Sequence, residues 1–128
     1  MLRAITPASL HPPFARYSHA VEVAAGARLI FCSGQLGIAA NATIPESAEA
    51  QSELIFDAIA SILNEAGLGL ADLVRLNAYV SAREHLSAYM AVRDRRVAMP
   101  PPASTLMIVS GFARDAFKVE VEAIAAGA

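Results

Sequence analysis

Apolar side chains recurring at every second position mark strands over Tyr17–Val23, Leu29–Ser33, Leu73–Ser81, Ala103–Val109 and Phe117–Ala125, because successive strand side chains point to opposite faces. Tyr17, His19, Val21 and Val23 share one face of the first, and the Ala24–Ala27 turn joins it to the second as a predicted hairpin. The first fourteen residues read as an irregular arm, and Leu36–Pro45 as a short strand or a loop. The period changes over Glu46–Ala66, where Leu54, Ile55, Ala58, Ile59, Ile62, Leu63 and Ala66 predict one helical stripe. Ser47 is the expected N-cap and Gly67 the left-handed residue that ends this helix. Ser81-Ala82-Arg83-Glu84 has the form of a capping box and predicts a second helix to about Val97, stopped by Pro100-Pro101-Pro102.

This order, β-β-(β)-α-β-α-β-β, predicts an α+β domain in which two amphipathic helices cover one face of a single sheet. The other face is left bare and needs a cover. On the last strand Lys118, Glu120 and Glu122 alternate with Phe117, Val119, Val121 and Ala123, so both glutamates point the same way, and the bare face carries Tyr17, Glu120 and Glu122 or their opposite neighbours.

With 128 residues the chain is expected to be one domain, 1–128. Its hydrophobic fraction of 55% against 17% charged residues is more than a small monomer easily hides, which favours burial against another subunit. No apolar run approaches the roughly 20 residues that span a bilayer. The prolines of MLRAITPASLHPPF break any secretory-signal core. A single cysteine, Cys32, leaves no internal disulfide and fits the reducing cytoplasm; on its strand it reads as a packed core thiol. A net charge of −2 argues against nucleic acid, and the one basic cluster, Arg93, Arg95 and Arg96, reads as a solvated helix face. His11, His19 and His85 lack ligand spacing with one another or with Cys32, so no metal site is expected.

YSHAV, LIFCSGQLG, NEAGLGLADLVRLNAYV, PASTLMIV and KVEVEAIA occur in an order and spacing that carry a resemblance. Over residues 14–126 the chain resembles the RidA/YjgF family, once called L-PSP endoribonucleases. The resemblance implies a chorismate-mutase-like fold whose sheets join, in a homotrimer, into a central barrel with the helices outside. It implies small-molecule clefts between subunits, no metal and no organic cofactor. The activity it implies is hydrolysis of reactive enamines and imines to 2-ketoacids and ammonia. Carried over by position, Tyr17 is a cleft tyrosine, Ser33 and Gly34 line the cleft with backbone, Glu120 contacts the catalytic water and Glu122 is a second acid.

One group is missing. Family deaminases read Pro-Ala-Arg where this chain reads Pro102-Ala103-Ser104, so Ser104 stands where the resemblance implies a carboxylate-binding arginine. Leu106 stands where several members have cysteine, and Met90 near where some have asparagine. Two readings stay open. Another arginine substitutes, with Arg16, Arg75 and Arg114 as candidates; or the cleft takes a less acidic ligand and deamination is weak or absent. The expected functions are therefore a hydrolase of an imine, enamine or related carbonyl-type electrophile, or a small-ligand-binding or regulatory protein. On pattern alone Glu120 and Glu122 are solvated strand acids, Ser33 is a turn residue and Tyr17 is a half-buried aromatic.

Overall fold

The computed structural model describes residues 1–128. Its elements are β1 (Leu2–Ile5), β2 (Ala20–Val23), β3 (Arg28–Leu36), α1 (Ala48–Glu65), β4 (Leu73–Val80), α2 (Leu86–Arg96), β5 (Ala103–Ile108) and β6 (Val119–Gly127). The main sheet has the order β3-β6-β4-β5. β6 runs antiparallel to both neighbours, while β4 and β5 are parallel and linked through α2.

The N-terminus departs from expectation. β1 pairs with β2, from Leu2 opposite Val23 to Ile5 opposite Ala20, in a two-stranded sheet of its own. The residues expected to be an irregular arm thus supply a strand, and the predicted β2–β3 hairpin does not form. The turn at Gly26 (φ 83°) connects the two without a ladder between them. Ser18 instead bridges Ala103, donating its N–H to the Pro102 carbonyl at 3.0 Å and its hydroxyl to that of Pro101 at 2.6 Å. These bonds pin the segment before β2 along the start of β5.

α1 begins as expected, with Ser47 Oγ accepting the Ala50 N–H at 3.1 Å. It ends at Gly67 (φ 73°), whose N–H reaches Asn64 O while that of Leu68 reaches Leu63 O, a Schellman pattern. Its deepest face is Gln51, Ser52, Ile55, Phe56, Ile59 and Leu63, rotated from the predicted stripe. A polar residue can lead this face because Gln51 is fully satisfied: its amide donates to Pro45 O and Ala116 O, both at 2.8 Å, and accepts the Lys118 N–H at 2.9 Å. The Ser81 capping box does not form. The Ser81 N–H extends the sheet by bonding Lys118 O at 3.0 Å, and a 3₁₀ turn at Arg83–His85 precedes α2.

Ile55, Phe56, Ile59 and Leu63 of α1 and Tyr89 and Val92 of α2 pack on Leu76, Ala78, Val80, Val119, Val121 and Ala123 of the sheet. The opposite face is open. Leu29, Phe31 and Met107 are 50%, 71% and 53% exposed there, around the row of acids on β6.

Candidate functional site

The residues singled out from the sequence fall into two groups on opposite sides of the sheet. On the open face, Glu120 lies in register between Leu36 and Tyr79, and Glu122 lies beside Asn77. β3 carries a bulge between Cys32 and Gln35, so the Ser33-Gly34 pair interrupts its ladder with β6. The carboxyl end of Glu120 folds over this bulge. A Cβ added at Gly34 would lie 2.9 Å from Glu120 Cδ and 3.2 Å from Oε1, so glycine lets the acid rest there and any larger residue makes it swing aside. Tyr79 donates its hydroxyl to Glu122 Oε1 at 2.6 Å. This bond, with burial and the charges of Glu122 and Glu120, pushes the Tyr79 phenol above its ordinary range, while Arg75 opposes the shift. Cys32 faces the core, and burial raises its thiol, which fits its reading as a packed rather than reactive group.

The second group lines a cavity of about 330 Å³ at the edge of the sheet, where Tyr17, Met90, Ser104 and Leu106 converge with Phe14. Ser104 and Leu106 are in register with the core residues Leu76 and Ala78, which puts them on the helix side. Tyr17 is held there by the Ser18–Ala103 bridge, and its hydroxyl accepts the Phe14 N–H at 3.2 Å.

The three arginines that the sequence offered as candidates to substitute for the missing one do not line this cavity. Arg16 bonds Asp94 O at 2.8 Å and Met99 Sδ at 3.1 Å. Arg75 bonds Asn77 Oδ1 and Thr105 Oγ1, each at 2.7 Å. Arg114 lies over the Phe117 ring. Arg93 lines the cavity with Ser104 instead, and it is only 2% exposed, which overturns its reading as part of a solvated face. Its Nε meets Asp94 Oδ1 at 3.1 Å and its guanidinium lies 5.9 Å from the centre of the Tyr89 ring. Its Nη2 and the Ser104 hydroxyl are both buried without a hydrogen-bond partner. Sequence offered a signal: Met90 and Arg93 stand three apart on one helix, so a cleft role for one places the other on the same side. Arg95 and Arg96 are taken up by α1, with contacts of 2.7–2.8 Å to Glu53 and Asp57.

Another concavity, between β1 and Ala98–Pro101, is mainly apolar; its Asp72 already accepts the Gly69 N–H at 2.9 Å. No group of three or more His, Cys, Asp or Glu side chains comes together as a metal-ligand set. No helix is long and apolar enough to cross a membrane.

Residues 8–127 match the family described as endoribonuclease L-PSP. Protein mmf2, mitochondrial, of Schizosaccharomyces pombe is 30% identical over 100 residues, covering 77% of this chain and 79% of that one. The structure of YyfB from Yersinia pestis, described as a Rid-family protein of unknown function, superposes with a TM-score of 0.82 at 30% identity, covering 97% of each chain. RidA from an Antarctic Psychrobacter gives 0.73 at 27% identity, covering 96% of this chain and 98% of that one. The mixed sheet with two helices on one face is the chorismate-mutase-like arrangement of these relatives. The chain belongs to the endoribonuclease L-PSP family, the RidA/YjgF proteins.

Proposed function

We propose that this chain hydrolyses small enamines or imines in clefts between copies of itself, assembled as a homotrimer. The approach of Glu120 to Gly34 carries the reading: a half-buried carboxylate is held over a glycine at an interrupted strand ladder, on a face that has no cover within the chain. Such a carboxylate can orient a water and take its proton as the oxygen attacks the imine carbon. Backbone N–H groups freed by the bulge can hold the charge that develops. An enamine first takes a proton at carbon to become the imine; after attack the proton held by Glu120 passes to the nitrogen, the new hydroxyl gives up its own proton as C=O forms, the C–N bond breaks, and ammonia leaves a carbonyl compound. The cavity with Tyr17 and Ser104 supplies the rest of the binding site from a neighbouring copy. The sole, buried thiol of Cys32 supports a reducing compartment, the cytoplasm.

Ser104 in place of a β5 arginine favours a second reading, a ligand-binding protein without turnover. Ammonia release from an enamine generated in situ by an amino-acid oxidase or dehydratase separates the two. The hydrolase reading expects acceleration by the wild type and a fall of roughly a hundredfold or more in Glu120→Gln. A wild type no faster than buffer overturns it.

A further inference from the structure

A guanidinium carries its charge at every accessible pH, and burying it without full pairing is costly. Arg93 is buried to 2% exposure, yet its one carboxylate contact engages Nε, leaving Nη2 without an acceptor. The Tyr89 ring, whose centre lies 5.9 Å from the guanidinium carbon, is not a hydrogen-bond acceptor that completes the pairing of Nη2. A second donor, the Ser104 hydroxyl, is buried and unpartnered in the wall of the same cavity. That wall contains one cation and no carboxylate, and Phe14, Tyr17, Met90 and Leu106 make the remainder largely apolar. Two donors, one of them charged, with apolar surface around them suit a small anion bearing a short hydrocarbon part.

We propose that Arg93 and Ser104 form a carboxylate-binding subsite, so that the substrate is a small monocarboxylic acid gripped by α2 rather than by β5. The inference rests on the cleft being a substrate site, and it replaces the expectation that losing the β5 arginine selects a less acidic ligand. A purely structural Arg93 would complete its pairing within the protein; here Nη2 and the Ser104 hydroxyl stay unpartnered in two residues that line one cavity.

The test is equilibrium binding of pyruvate to the full chain by calorimetry, with methyl pyruvate as the neutral control. The wild type is expected to bind pyruvate in preference to the ester. Arg93→Gln is expected to weaken pyruvate binding by about tenfold to a hundredfold and to leave the ester unaffected. Arg93→Lys, which keeps charge but loses the planar fork, is expected to fall between. Ser104→Ala removes a hydroxyl with no protein partner, so it should fold as the wild type does and still bind pyruvate several-fold more weakly. This variant decides the matter if Arg93→Gln does not fold. Equal binding of acid and ester by the wild type, no binding of pyruvate, or unchanged affinity in Ser104→Ala overturns the subsite. Glu120→Gln separates this inference from the hydrolase reading: it should keep pyruvate binding while losing ammonia release. If Glu120→Gln retains turnover, the hydrolytic role fails and the subsite stands.

Discussion

Glu120 and Ser104 face opposite sides of one sheet: Glu120 lies in register with Tyr79 on the open face, whereas Ser104 lies in register with Leu76 on the side covered by the helices. Side chains on opposite faces of a sheet cannot meet around one small molecule. A site that uses both must take them from different copies of the chain. The open face has the composition for such contact, since Leu29, Phe31 and Met107 are each at least half exposed around the acids.

Assembly should therefore depend on that face. Phe31→Glu places a carboxylate where another copy is expected to cover a 71% exposed ring. Sedimentation at micromolar concentration is expected to give a trimer for the wild type and a monomer for the variant, with ammonia release lost and the helix content of the circular dichroism spectrum retained. A variant that sediments as the wild type does would move the interface elsewhere.

Two glycines separate function from folding. At Gly34 an added Cβ meets the far end of the Glu120 side chain, which can swing away at a cost of about 0.5–1.5 kcal/mol. At Gly37 it meets Gln51 Cβ and Cα, and backbone cannot swing away. Gly34→Ala is expected to lower turnover at least tenfold, equivalent to about 1.4 kcal/mol, with little change in Tm. Gly37→Ala is expected to lower stability by about 1–3 kcal/mol in denaturant unfolding. Equal losses of Tm in the two variants would contradict the account of Gly34.

Gln51 ties α1 to the approach to β6 through three bonds to backbone. Gln51→Leu fills similar volume but leaves Pro45 O, Ala116 O and the Lys118 N–H without their partner. The expected cost is about 3 kcal/mol or more, read from urea unfolding. A loss within error of zero would mean that other groups satisfy those atoms.

Alkaline pH should weaken the fold through Tyr79. Its folded pKa is raised, chiefly by the bond to Glu122, so the fold favours the protonated phenol. The associated stability is fully present below the unfolded tyrosine pKa of about 10 and is lost as pH rises through the folded value. Tm measured across that range is expected to fall above about pH 10, and to fall less steeply in Tyr79→Phe. Identical slopes would sever Tyr79 from the effect.

Much of this architecture could be read from alternation and helical spacing. The placement of Val119, Val121 and Ala123 in the core and of Glu120 and Glu122 on the open side follows from period two alone. The stop at Gly67 follows from the need for a left-handed residue. What escaped was tertiary. Leu2–Ile5 is short and becomes a strand only because Ala20–Val23 is there to pair with it. Gln51 breaks the apolar stripe, and its burial is legible only once Pro45, Ala116 and Lys118 are seen to surround it. Arg93 stands in a basic cluster with Arg95 and Arg96, and charge alone does not tell the buried member from the paired ones. The division of the candidate residues between two faces of the sheet was already implicit in the parity of Ser104 and Glu120, but the strand register was needed to see it.

The claim that a working cleft is shared between copies is tested most directly by mixing subunits. Glu120→Gln keeps an intact Ser104–Arg93 side, and Arg93→Gln keeps an intact Glu120 side. Ammonia release is measured for each variant alone and after both are dissociated and reassembled together at equal concentration. Random mixing in a cyclic trimer gives roughly a quarter of the clefts one sound half from each variant. Recovery of about that share of wild-type turnover is the predicted result. Mixed trimers, verified by mass, that are no more active than their parents would contradict it.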